Sequence, residues 1–101
     1  MKLGLSKETY FRNAQIYKVL GNPKRLEILN LLKYGEMGVE QILKITKISK
    51  ANLSQHFGVL KKSGLIKNRR QGLNIFYTIV SPKIVDTCRL LQDLRDKKII
   101  K

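Results

Sequence analysis

The sequence is short of acid. Only seven of its 101 residues are Asp or Glu, against 21 Lys and Arg, and the net charge is +14. The seven are Glu8, Glu27, Glu36, Glu40, Asp86, Asp93 and Asp96, so none falls between Gln41 and Val85. That stretch offers no carboxylate for acid–base work, and no nucleophile–base–orienter set is visible elsewhere, which argues against an enzyme. Cysteine occurs once, as Cys88, so an internal disulfide is excluded and the cytoplasm is the expected compartment. Histidine also occurs once, as His56. With one thiol and one imidazole in different segments, a tetrahedral metal site would need groups from two subunits, and neither a metal nor another cofactor is expected. No apolar run approaches the roughly 18 residues that cross a bilayer. No continuous apolar stretch follows the first lysine, so a signal peptide is not expected. Tryptophan is absent, and no single segment combines aromatic anchors with a lysine-rich helical face, so a membrane-surface role is not expected either.

What is present is enough for one domain, 1–101, with one modest core. Apolar residues make up 43% of the chain, too many for a disordered basic tail. The acid-free stretch holds nine cations: Lys44, Lys47, Lys50, Lys61, Lys62, Lys67, Arg69, Arg70 and Lys83. A field of one sign attracts and steers a polyanion, and double-stranded DNA is the expected partner. A merely soluble, lysine-rich surface would account for the total charge but not for the segregation of its signs.

Hydrophobic periodicity divides the chain into five helices and a hairpin. Residues 1–7 are expected to be loose. A first helix, 9–20, carries Tyr10, Phe11, Ala14, Ile16, Tyr17 and Leu20 at helical spacing and stops at Gly21. Asn22 and Pro23 read as the cap and first turn of a second helix. Leu26, Ile28, Leu29, Leu31 and Leu32 surround most of it, so it is expected to be buried, and Gly35 ends it. A short third helix runs from Val39 to Thr46. Ser49 caps a fourth, which ends at Ser63 before Gly64. Residues 65–80 change period, and the polar cluster Asn68 to Gly72 before Ile75 to Ile79 reads as a β-hairpin with its tip at Gln71–Asn74. Ser81 and Pro82 open a last helix, 82–98. Three helices followed by a hairpin make a mainly α winged helix-turn-helix, with 39–63 as the helix-turn-helix and 65–80 as the wing.

On a wheel of the fourth helix, Leu53, Phe57 and Leu60 form one narrow anchoring stripe. The opposite arc holds Ala51, Asn52, Gln55, Gly58, Val59 and Lys62. Amides pair bidentately with adenine and alanine meets a thymine methyl, so Ala51, Asn52, Gln55 and Lys62 are candidates for reading bases. Solvation alone would also account for Asn52 and Gln55. Lys47, Ser49, Lys50, Ser54, His56 and Lys61 flank that face as candidate phosphate contacts. His56 reads equally well as a hydrogen-bonded structural residue. Gly58 costs about 1 kcal/mol relative to alanine in mid-helix, which points to a close approach by the wing or by the duplex. On the wing, Lys67, Arg69, Arg70, Gln71 and Asn74 are the candidate contacts.

Leu20-Gly21-Asn22-Pro23-Lys24-Arg25-Leu26-Glu27-Ile28-Leu29 resembles the opening L-x-x-P-x-R-L-x-I-L of the ArsR/SmtB family. Ser54-Gln55-His56-Phe57-Gly58-Val59-Leu60 resembles the S-x-H-L-x-x-L of its recognition helix, with Phe57 for the usual leucine. Gly64-Leu65-Ile66 and Arg70-Gln71-Gly72 through Tyr77 resemble its wing. The resemblance covers about residues 10–95 and implies a homodimeric repressor that binds an inverted-repeat operator and leaves it when an inducer binds. The metal-sensing motifs do not carry over. Gly38-Val39-Glu40 stands where metal sensors have C-V-C, and Ser81, Lys83, Leu94 and Lys97 stand at the last-helix positions. Asn30 stands where sulfur-sensing members have a cysteine.

The last helix spreads Ile84, Val85, Cys88, Leu90, Leu91 and Leu94 over about 220° of its wheel, where one small core needs a stripe of little over 100°. The first helix is equally wide. Tyr10, Tyr17, Ile84, Cys88, Leu91 and Leu94 are therefore expected at a dimer interface, unless the two terminal helices pack on each other. Cys88 is read either as a small core hydrophobe or as a thiol sensor. The expected function is a sequence-specific transcriptional regulator that represses by occupying a promoter, with a small-molecule or thiol-reactive inducer as a further expected partner. A non-specific nucleoid or architectural protein is the alternative, because it would share both charge and fold.

Overall fold

The computed structural model describes residues 4–101. Of the segment expected to be loose, 1–3 lie outside the described residues. The rest is more ordered than its composition suggests. The Leu5 N–H donates to the Tyr10 hydroxyl at 3.2 Å, and Ser6 caps the first helix by accepting from the Thr9 N–H at 3.1 Å. That helix, α1, runs Lys7–Leu20 and so begins before residue 9. Next comes α2, Pro23–Leu32, capped by the Asn22 side chain, which accepts from the Lys24 and Arg25 N–H groups. The strand β1, Met37–Gly38, leads into α3, Val39–Thr46. Lys47, left-handed at φ 58°, turns the chain toward α4, Lys50–Lys62, which Ser49 caps. The hairpin β2, Ile66–Gln71, and β3, Asn74–Ile79, completes an antiparallel sheet of order β1-β3-β2.

Ser81 was expected to cap the last helix, but its side chain makes no capping bond. Pro82–Val85 is instead a 3₁₀ turn, followed by α5, Asp86–Asp96. The sequence also gave no sign of β1. Two residues have no periodicity, and they become a strand only because Met37 and Gly38 pair with Tyr77 and Phe76.

The core is Ile28, Leu29 and Leu32 of α2, Ile42 of α3, Leu53, Phe57 and Leu60 of α4, and Leu65, Ile66, Tyr77 and Val85. The Phe57 ring stacks on the Tyr77 ring at 3.8 Å between centroids. This contact fixes the wing against α4, and the phenylalanine in place of leucine is what makes it aromatic on both sides. Among the described residues no helix is long and apolar enough to cross a membrane.

The terminal helices stand apart. Neither α1 nor α5 has a buried residue. α1 packs mainly on α2, and α5 mainly on the 3₁₀ turn. The radius of gyration is 15.7 Å, where a compact chain of this length has about 13 Å. The accessible surface is 7919 Å², about 2,000 Å² above the value near 5,900 Å² expected of a compact monomer of this mass.

Candidate DNA interface

α4 presents a face that its own fold does not use. Leu53, Phe57 and Leu60 are buried, while Ala51, Asn52, Ser54, Gln55, Gly58, Lys61 and Lys62 are exposed and Val59 is half-buried. The division follows the 3.6-residue period, since the three anchors lie on one side of the helix. Lys47, Ser49 and Lys50 are exposed at its start. The Ser49 Oγ already accepts from the Asn52 N–H at 3.1 Å, which leaves its own hydrogen to offer outward.

Gly58 has no internal purpose. A Cβ built there would meet no atom within 4 Å. The wing is therefore not what the glycine admits. The open side of Gly58 belongs to a shallow recess walled by Arg25, Gln55, His56, Val59 and Lys62.

His56 is half-buried, and its Nδ1 accepts from the Arg25 Nε–H at 3.3 Å. Arg25 also donates to the Val19 carbonyl. Burial and then the neighbouring Arg25 charge hold the His56 pKa below its ordinary value. The ring is thus neutral at pH 7, with its hydrogen on Nε2 because Nδ1 is accepting. Both readings of His56 can therefore hold in one residue. It bridges to α2 through one nitrogen and keeps a donor on the other. Arg25 was not singled out in the sequence; its partner lies 31 residues away, and only the fold joins them.

On the wing the expected contacts separate. Side chains of a strand alternate between faces, and directly paired residues share one. Arg69 pairs with Phe76, and Arg70 with Ile75, two residues along from the pair Asn68–Tyr77. Arg70 thus shares the face of Tyr77, which stacks on α4, and Arg69 lies on the other. There the Arg69 guanidinium donates to both carboxylate oxygens of Glu36 at 2.7 Å and to the Gln71 side-chain oxygen at 2.9 Å, and it lies over the Phe76 ring. In the chain alone the Arg69 guanidinium and its fork of donors are thus engaged by Glu36 and Gln71, and it clasps the wing to the loop before β1. Lys67, Arg70, Gln71 and Asn74 remain exposed.

The hydrogen bonds from Arg69 hold the Glu36 carboxyl below the ordinary glutamate value. A lowered folded-state pKa means that the clasp is present above the unfolded value and is lost as pH falls through the folded one. Glu36→Gln should therefore speed amide exchange along β2 at pH 7, by a margin that shrinks as pH falls through the lowered Glu36 value. Exchange measured by NMR at pH 7 and across an acid series tests this, and equal wing exchange in the two proteins at pH 7 would remove the clasp.

Two of the residues expected at a subunit interface are partly buried within the chain itself. Ile84 and Cys88 pack against the chain's own core, and the Asn30 Nδ2 donates to the Cys88 Sγ at 3.5 Å. Tyr10, Tyr17 and Leu91 are exposed, and Leu94 is half-buried. The wheel gave all of α5 one wide face. It could not show which flank the 3₁₀ turn would press onto α2. Among the described residues no three His, Cys, Asp or Glu side chains come together as a metal-binding group.

The family model for the bacterial regulatory proteins of the arsR family matches residues 22–68, from the cap of α2 into β2. A helix-turn-helix transcriptional regulator of Methanocaldococcus jannaschii is 38% identical over 88 residues, covering 86% of this chain and 99% of its own length. The transcriptional repressor PagR of Bacillus anthracis is 34% identical over 82% of this chain and 84% of its own. Its crystal structure superposes with a TM-score of 0.70 over 85% of this chain and 99% of that one. The homodimeric winged helix-turn-helix DNA-binding domain Mb0332 of Mycobacterium bovis superposes with a TM-score of 0.74 at 31% identity, covering 97% and 94% of the two chains. With the exposed face of α4, the wing beside it and these relatives together, the chain belongs to the ArsR family and is a sequence-specific DNA-binding transcriptional regulator, not an enzyme.

Proposed function

We propose that the protein is a homodimer that lays its two α4 helices in successive major grooves of an inverted-repeat operator and represses by occupying the promoter. The observation that carries this reading is the exposed, uncharged centre of α4, framed by cations and continuous with a basic wing. An ordinary surface helix keeps its charges on that arc; this one keeps them at its ends. Ala51, Asn52, Gln55 and Lys62 read base edges. Lys47, Ser49, Lys50, Ser54, His56 and Lys61 hold phosphates. Lys67, Arg70, Gln71 and Asn74 follow the backbone along the wing, with Arg69 fixing the wing's position and not touching DNA.

The dimer is supported by about 2,000 Å² of surplus surface and by terminal helices with no core of their own. The relatives add that the M. bovis domain is homodimeric and that PagR is a repressor. Two-fold symmetry would set the α4 helices about 34 Å apart, one turn of DNA. An inducer belongs in the cleft of about 350 Å³ between α2 and α5, lined by Asn30, Lys33, Cys88 and Arg89, where a ligand would couple the core to the dimer helices.

Titration of operator and random duplexes at several salt concentrations tests the reading. Operator fragments are first selected from genomic DNA with the wild-type protein. Gln55→Ala should lower the operator-to-random ratio about tenfold, because a base contact is lost. Arg70→Ala should weaken both duplexes alike and reduce the salt slope by about one, because a phosphate contact is lost. Arg69→Ala should leave that slope unchanged. No duplex binding by the wild type at low salt would overturn the proposal.

A further inference from the structure

Arg25 stands where a helix does not favour a cation. It is the third residue of α2, whose first turn holds no acid, and the N-terminal end of a helix carries partial positive charge. The residue is half-buried, and among the described residues no carboxylate pairs with it. A partly desolvated cation without a counter-ion costs stability unless its hydrogens are used. They are used twice, and both bonds leave α2. The Nη1–H donates to the Val19 carbonyl at 3.2 Å, one of the last carbonyls of α1, which lack partners within their own helix. The Nε–H donates to His56 Nδ1 at 3.3 Å. Arg25 thus joins the end of α1 to the middle of α4.

The bond to His56 fixes more than a distance. A neutral imidazole has one donor nitrogen and one acceptor, and in water it exchanges the two roles. An N–H arriving at Nδ1 admits only the form with its hydrogen on Nε2. The same bond opposes protonation, because an imidazolium has no acceptor to offer and would face the Arg25 charge. The charged groups that line the recess with His56 are Arg25 from α2 and Lys62 from α4 itself, and no acid joins them. From α1 comes only the Val19 carbonyl, and it is spent on Arg25. Without Arg25 the ring would divide between two tautomers, and only part of the population would offer a hydrogen from Nε2.

We infer that Arg25 is a positioning residue for DNA binding: anchored at the end of α1, it holds the His56 ring as the tautomer that donates from Nε2 to a backbone phosphate. The inference rests on the phosphate contact proposed for His56 and adds a residue outside the helix-turn-helix to those that set affinity. Arg25 acts through His56 and touches no phosphate itself. Lysine cannot replace it. The two bonds leave from different nitrogens, Nε and Nη1, of one rigid plane, and a single ammonium cannot reproduce that fork.

The test uses Arg25→Lys, Arg25→Ala, His56→Ala and the double alanine variant, with the selected operator fragment. Heteronuclear NMR of the imidazole in the free proteins at pH 8 reads the tautomer, and a titration reads the protonation midpoint. The wild type should show the Nε2–H form alone. Both Arg25 variants should show mixed tautomers, and Arg25→Ala should protonate at higher pH than the wild type. At pH 8 both should bind operator about tenfold more weakly and keep the wild-type salt slope. Arg25→Ala should add nothing to the loss in His56→Ala. As pH falls, Arg25→Ala should regain affinity before the wild type changes, because its ring takes up a proton first and then donates from both nitrogens. Thermal melting follows folding, and if Arg25→Ala does not fold, Arg25→Lys and the wild-type tautomer still decide. Mixed tautomers in the wild type, or an Arg25→Ala loss that persists in full beside His56→Ala, would refute the positioning role. A salt slope lowered by about one in Arg25→Ala would refute it by making Arg25 a phosphate contact itself. Wild-type affinity in His56→Ala would remove the proposed phosphate contact and the inference with it. Failure of the wild type to bind any duplex would instead refute the α4 reading.

Discussion

Leu91→Asp should turn a dimer that grips two half-sites into a monomer that grips one. Leu91 is 44% exposed within the chain, on a helix with no buried residue. A charge there costs the isolated subunit little, since it remains in water. In the dimer the same carboxylate would be taken out of water without a partner, which is expensive. Sedimentation equilibrium should show the wild type as a dimer at tens of micromolar and the variant as a monomer, with helical circular dichroism largely kept. The effect on DNA should be larger than that of any contact residue. Joining two reading heads raises affinity by about 10² to 10⁴ through effective concentration alone, and operator binding should fall by at least the lower figure. Random DNA should be less affected. A wild-type monomer at that concentration, or a variant that stays dimeric, would reject the interface.

Gly58→Ala should make the protein more stable and a worse regulator. Alanine is about 1 kcal/mol better than glycine inside a helix. Nothing in the chain opposes the added methyl, because no atom lies within 4 Å of where it would stand. The melting temperature should rise by several degrees. The methyl would stand on the exposed arc between Gln55 and Lys62, where α4 meets the floor of the groove. Holding the helix out by about one ångström would loosen the Asn52 and Gln55 contacts together, each worth 1 kcal/mol or more, so operator affinity should fall on the order of thirtyfold. Thermal melting and operator titration of the same preparation decide the matter. A stabilised variant with undiminished affinity would show that the glycine serves no approach by DNA.

The opposite signs of these two effects show where fold and function part company on α4. Leu53, Phe57 and Leu60 serve the core. Gly58 costs helix stability with no neighbour in the chain that requires a glycine there. Cost without internal benefit is the mark of a functional position. In the sequence Gly58 could be singled out by its helix-breaking cost.

Local sequence specifies the helices, the anchoring stripe of α4, the hairpin and the basic span without acid. Each is a local property: a 3.6-residue period, a capping side chain at Asn22 or Ser49, a left-handed glycine at Gly64 or Gly72, an interval without carboxylates. How distant side chains pair is set by the fold. It set Glu36 against Arg69 and so separated two adjacent arginines that look identical in the sequence. It joined Arg25 to His56 and stacked Phe57 on Tyr77. It made a strand of Met37 and Gly38 by giving them β3 as a partner. It replaced the start of the last helix with a 3₁₀ turn that carries Ile84 and Cys88 toward the core. Periodicity reports which residues share a face of one element. What that face meets depends on the register and packing of elements dozens of residues apart, which no local pattern encodes.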